Sequence, residues 1–263
     1  MARLLLRGEP LGDPAQPIRA VLFDKDGTLS RSEPMLLALA EARILLCHRQ
    51  LQRRHPALAT SLETDLENLL RRAYGLDGAG VNPAGTTAVA SRRHNLLSTA
   101  TVLAMMGLGW PEAVELGEAV FAGTDDLHGR GSLNRPQATE GLHGLLEMLA
   151  GCGLRCAVIS NDEAAGIADF LEGEGIARHF QAFRSAEQTP RKPDPAAVLA
   201  LCRELGVEPG ACALIGDANS DLRMARAAGV PVVVGYTAGW SRPPPLDPAF
   251  PQLHHWSQLT LGD

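Results

Sequence analysis

Four short apolar runs punctuate this chain, and three of them give way abruptly to polar residues. Arg19-Ala-Val-Leu-Phe23 stops at Asp24-Lys-Asp-Gly-Thr28, Leu154-Arg-Cys-Ala-Val-Ile159 at Ser160-Asn-Asp162, and Ala211-Cys-Ala-Leu-Ile215 at Gly216-Asp217; the fourth run is Val230-Pro-Val-Val-Val234. Short continuous runs of this kind are strands buried on both faces, as in a parallel sheet. Between them the apolar spacing turns helical, predicting helices over 141–150, 163–174, 195–205 and 220–228. Strands alternating with helices through short links predict an α/β fold with a doubly wound parallel sheet, in which ligands bind beyond the carboxyl ends of the strands.

Residues 31–135 break that rhythm. They read as helices over 35–54, 58–74, 87–106 and 111–121, with turn signals at Gly75-Leu-Asp-Gly78, Asn82-Pro83, 107–109 and Gly129-Arg-Gly131. The expected organisation is a core of residues 1–30 and 136–263, with a helical domain of residues 31–135 inserted between its first and second strands. Pro243-Pro-Pro245 reads as a surface turn before a short final element.

Composition narrows the function. With 45% hydrophobic and 21% charged residues, 263 residues suffice for a substantial core. A net charge of −6 has the wrong sign for binding nucleic acid or anionic lipid, so a small molecule is the expected partner. No apolar run approaches the roughly 18 residues of a membrane span, and the start of the chain lacks a signal-peptide core. The five cysteines form no C-x-x-C pair and mostly sit in apolar runs, so reduced thiols and a soluble, cytoplasmic protein are expected.

The candidate chemistry lies at the strand ends. Asp24, Asp26, Asp217 and Asp221 all fall there, so folding can gather them although nearly 200 residues separate the first from the last. Together they suggest a hard-cation site of the kind magnesium prefers. An aspartate beside such an ion can attack phosphorus, and a second one two residues on can move the protons. Ser160 and Asn161 offer a hydroxyl and an amide to phosphate oxygens. Lys192, one of only two lysines among 24 basic residues, offers a point charge. Asp162 and Asp194 read as helix N-caps.

These segments carry a resemblance. Phe23-Asp-Lys-Asp-Gly-Thr-Leu29, Val158-Ile-Ser-Asn161, Arg191-Lys-Pro-Asp-Pro195 and Gly216-Asp-Ala-Asn-Ser-Asp221 are similar, in order and spacing, to the four motifs of the haloacid dehalogenase superfamily of phosphohydrolases. The helical insertion resembles that family's C1 cap, as in phosphoglycolate phosphatase-like members. The resemblance implies Asp24 as nucleophile and Asp26 as general acid/base. It implies Ser160 and Lys192 as phosphate-binding groups, beside the Asn161 amide already noted. It implies a magnesium site of Asp24, Asp217 and Asp221, the last directly or through water, with the backbone carbonyl of Asp26. Lys25 departs from the pattern, which is commonly apolar there.

The expected function is a magnesium-dependent phosphatase that hydrolyses a small phosphorylated metabolite through an aspartyl-phosphate, phosphoglycolate being the first candidate. The alternatives are a phosphomutase of the β-phosphoglucomutase type, which shares the four motifs, and a non-catalytic protein that binds a phosphate ligand. A dehalogenase would need neither the metal cluster nor Asp26. Residues 31–135 carry 11 arginines and 11 acidic residues, and Arg92 and Arg93 are the candidates there for meeting an anionic substrate.

Overall fold

The computed structural model describes residues 3–13, 16–125 and 135–262. The chain divides into two compact units, Met1–Ser32 with Pro136–Asp263, and Glu33–Arg135. In the first unit, β1 (Ala20–Phe23) has no exposed surface at any position. Its apolar side chains leave no polar face, so it can only lie at the centre of a covered sheet.

The second unit is helical. It contains α1 (Glu33–Arg54), α2 (Pro56–Tyr74), the single turn α3 (Thr86–Val89), α4 (Arg92–Met105) and α5 (Trp110–Asp125). Leu51, Leu70, Tyr74, Ala100, Leu103, Leu116 and Phe121 are buried among these helices. Buried polar groups are paired: the Tyr74 hydroxyl lies 2.6 Å from Thr99 Oγ1, and the Arg43 guanidinium lies 3.9 Å from the centre of the Phe121 ring. The sequence expects one helix over 87–106. Two form instead, because Ala90 takes an extended conformation and Ser91 caps α4 by accepting from the His94 N–H. Gly129-Arg-Gly131 lies outside the described residues.

The chain returns through α6 (Leu142–Gly151), β2 (Arg155–Ile159), α7 (Ala164–Gly173), β3 (Phe180–Arg184), α8 (Pro195–Leu205), β4 (Cys212–Gly216), α9 (Asn219–Ala227), β5 (Val232–Tyr236) and β6 (Gln252–Leu253). The sheet order is β6-β5-β4-β1-β2-β3, every neighbour parallel. This is the doubly wound α/β fold that the sequence pattern predicts.

Period-two alternation splits each strand between two cores. Val21, Phe23, Val158, Ile215 and Val234 face Leu145, Leu149, Ile167 and Phe170 of α6 and α7. Ala20, Leu22, Ile159, Leu214 and Val233 face Val198, Leu201, Leu222 and Met224 of α8 and α9. Asp194 caps α8, accepting from the Ala196 N–H at 2.9 Å, as expected. A separate antiparallel sheet joins Arg3–Leu6 to Glu9–Pro10 and to Leu259–Gly262. Among the described residues, no helix is long and apolar enough to cross a membrane. The cysteines are free thiols, all buried except Cys152.

Candidate active site

The parallel register brings the motif residues together. Phe23 pairs with Ile215 on one side and Val158 on the other, so Asp24, Gly216-Asp217 and Ser160 emerge at one edge of the sheet. The backbone continues this pairing past the strands: the Asp24 N–H donates to the Ile215 carbonyl at 3.0 Å, and the Ser160 N–H to that of Arg184 at 2.9 Å. The loop after Asp24 closes on itself through Ser30 N–H to Lys25 O and Gly27 N–H to Ser30 O, both 2.9 Å. Thr139 pins this loop, its hydroxyl donating to the Thr28 carbonyl at 2.9 Å and accepting from the Trp256 indole at 2.7 Å.

Carboxylate oxygens of Asp24, Asp217 and Asp221 lie within 4.8 Å of one another, and all three residues are buried. One cation stands among them: Lys192 Nζ is 2.6 Å from Asp24 Oδ1 and 2.8 Å from Asp221 Oδ1. It also donates to the Ile159 carbonyl at 3.4 Å, which sets it beside Ser160. Ser160 is itself buried, its hydroxyl accepting from the Asp162 N–H.

Three carboxylates and one ammonium leave two negative charges in a site shut off from water, a state that costs free energy unless it is neutralised. The titration behaviour expresses that cost. Burial, with repulsion from Asp221 and Asp26 added, raises Asp24 to about 6 even against the opposing pull of Lys192. Burial and the charges of Asp24 and Asp221 raise Asp217 well above the usual carboxylate range. Burial alone would lower Lys192, but Asp221 and Asp24 outweigh it and hold the ammonium above the ordinary lysine value. An all-oxygen donor set with two unbalanced charges fits a hard divalent cation such as magnesium.

Asp26 stands apart from this cluster. Its carboxylate is 2.7 Å from Lys25 Nζ, 3.4 Å from the Ser30 hydroxyl, and hydrogen-bonded by the Ser32 hydroxyl. Lys25 is buried and reaches Asp162 Oδ2 at 2.9 Å as well, so the exceptional lysine of the first motif ties that motif to the end of β2. Asp162 is therefore not the N-cap expected from the sequence; Glu163 holds the N-cap position of α7, and Asp162 spends one oxygen on Lys25 and the other on the Glu163 N–H.

In the helical unit, Arg92 is bound to Asp125, its Nε 3.1 Å from both carboxylate oxygens, and lies 5.4 Å from the Phe121 ring centre. Arg93 is exposed. The expected pair thus separates into an arginine that joins α4 to α5 and one on the surface.

Two further side chains belong to the site. The Trp240 indole donates to Asp217 Oδ2 at 2.5 Å, and the Thr28 hydroxyl to Asp217 Oδ1 at 3.3 Å. Thr28 lies within the first motif. Trp240 lies just past the end of β5, and the rule that strand ends face the ligand could have drawn attention to it.

Comparison with known proteins defines the class. Residues 18–229 match the hydrolase family described as haloacid dehalogenase-like hydrolase, and the chain belongs to that family. This bears out the sequence reading of a phosphatase-type hydrolytic enzyme. Among curated relatives, a phosphoglycolate phosphatase of Thiobacillus denitrificans is 32% identical over 85% of this chain and 86% of its own. A phosphoglycolate phosphatase of Rhodospirillum rubrum is 30% identical over 86% and 82%. The fold is shared with the crystal structure of a predicted phosphoglycolate phosphatase from Haemophilus somnus, with a TM-score of 0.57 at 20% identity over 84% of this chain and 85% of that one.

Proposed function

We propose that the chain is a magnesium-dependent phosphatase of the cytoplasm that hydrolyses a small phosphorylated metabolite, phosphoglycolate before others, through a covalent aspartyl-phosphate on Asp24. The observation that carries this reading is the buried group of Asp24, Asp217 and Asp221 around Lys192 at the sheet edge. The substrate rests on the phosphoglycolate phosphatases of Thiobacillus denitrificans and Rhodospirillum rubrum, which cover most of this chain.

Asp24, Asp217 and Asp221, with the backbone carbonyl of Asp26, would hold the magnesium ion, which when bound offsets their charge and that of the phosphoryl group. Ser160 and Asn161 bind phosphoryl oxygens, and Lys192 orients Asp24 while placing positive charge beside the transferring group. An Asp24 oxygen attacks phosphorus and the bond to the leaving oxygen breaks, that oxygen taking a proton from Asp26. Asp26, now an anion, removes a proton from water as the water attacks the same phosphorus, and phosphate leaves with Asp24 restored. To do this Asp26 exchanges its bonds to Lys25 and Ser32 for one to the leaving oxygen.

The test is a panel of phosphate monoesters assayed on the purified protein with and without magnesium. Preferential, magnesium-dependent release of phosphate from phosphoglycolate is expected. Activity that survives chelation would reject the metal site, and a stronger preference for a sugar phosphate or nucleotide would reject the substrate. Conversion of a sugar phosphate to its isomer without phosphate release would mark a mutase instead.

A further inference from the structure

The Trp240 side chain lies against the carboxylate cluster. It is 7% exposed, and its indole N–H gives its only hydrogen bond to Asp217 Oδ2 at 2.5 Å. The two loops that bring them together are built for close approach. Gly27 has φ +78°, a backbone state that favours glycine, and a Cβ there would overlap both Trp240 Nε1 and Asp217 Oδ2. A Cβ on Gly239 would strike the Gly27 carbonyl. Glycine at both positions leaves room for the indole edge to lie over the motif loop and reach the carboxylate.

From this contact we infer that Trp240 is the positioning residue of the metal site, fixing the Asp217 carboxylate so that its remaining lone pairs face the cation. The inference rests on the magnesium reading above. An indole N–H can only donate, so Trp240 cannot become a ligand or move a proton. It is also neutral. A lysine or arginine in its place would hold Asp217 equally well but repel the ion, whereas the indole leaves the carboxylate's charge intact. Thr28 holds the other oxygen from the opposite loop at 3.3 Å, so the carboxylate plane is gripped at both ends. Outer partners of this kind set ligand orientation, and their loss typically weakens metal affinity on the order of 10- to 100-fold.

The first measurement reads the wild-type protein. In the 15N-labelled full chain the three tryptophans give three indole N–H resonances, assigned with Trp110→Phe and Trp240→Phe variants. On titration with magnesium the Trp240 resonance should shift most and saturate along the binding curve read by calorimetry. Trp240→Phe keeps the ring and removes the donor. It should raise the magnesium concentration for half-maximal activity about tenfold, while kcat at saturating magnesium falls far less. A purely structural role would lower the melting temperature and leave the magnesium dependence unmoved; that result overturns the proposal, as does a Trp240 resonance that stays still while calorimetry records binding. A wild-type protein that is active and neither binds nor needs magnesium overturns the metal reading itself, and this inference with it.

Discussion

Asp24→Asn should move activity and stability in opposite directions. The amide keeps the shape of the side chain and can still accept from Lys192, but it has no nucleophilic oxygen, so turnover should fall below about one per cent of wild type. Stability follows from the charge that the site tolerates poorly. Asp24 ionises near pH 6 in the folded protein, against 3.8 for an ordinary aspartate. Between those values the unfolded chain has lost the proton and the folded chain keeps it, so the wild type loses stability as pH rises through the window. Above about pH 6 the full penalty applies, on the order of 3 kcal/mol. Asparagine never carries it. For a chain of this size each kcal/mol moves Tm by roughly 2–4 °C, so in chelator at pH 8 the variant should melt about 6–12 °C above wild type. At pH 5, partway up that window, about half of the gap should remain, and it should close below about pH 3.8. Added magnesium should reverse the order at pH 8, because the variant has lost a charged ligand. A variant that melts at or below wild type in chelator at pH 8 would refute the account of Asp24 as a strained charge, and residual activity above one per cent, free of contamination, would refute its role as nucleophile.

Asp26→Ala should slow both formation and breakdown of the phospho-enzyme, on the order of a hundredfold or more by rapid quench, and an unchanged kcat would remove Asp26 from the mechanism. Chelation should stop turnover and magnesium restore it, while calcium binds and supports little turnover because its looser, higher coordination disturbs in-line attack; equal rates with the two ions would count against the geometry. Arg92→Ala, which breaks the bond to Asp125, should lower stability and affect all substrates alike, whereas Arg93→Ala should reduce kcat/KM on an anionic metabolite about tenfold and spare a simple aryl phosphate. Equal effects of Arg93→Ala on both substrates would return that arginine to the solvated surface.

The strands that the sequence reveals are the ones whose burial is complete. β1, β2, β4 and β5 are apolar runs because both of their faces are covered, and a polar loop marks where each one ends. β3 escaped because an edge strand tolerates the mixed run Phe-Gln-Ala-Phe-Arg, which carries no clear period. The antiparallel sheet of the two chain ends escaped for another reason: Arg3 pairs with Gly262, and nothing local announces a partner so distant.

Within the site, Asp24, Asp217 and Asp221 were legible because each follows a strand or opens the next helix. Side-chain direction was not. That Asp26 turns to Ser32, that Lys25 bridges Asp26 and Asp162, and that Asp125 holds Arg92 are choices among partners offered by several elements at once.

The central place of β1 in the sheet bears on how this protein is made. β1 is synthesised first among the six parallel strands, yet it lies between β2 and β4, whose residues follow it by more than a hundred positions. On the ribosome the helices of residues 33–135, whose contacts are mostly local, can pack as soon as they emerge. β1 cannot, and Ala20–Phe23 must wait as an unpaired apolar segment through the whole of that synthesis. Asp24 therefore enters the chain early but meets its buried partners only when Asp221 has been added. A nascent chain halted before β4 would carry the whole helical sequence and none of the Asp217 and Asp221 carboxylates.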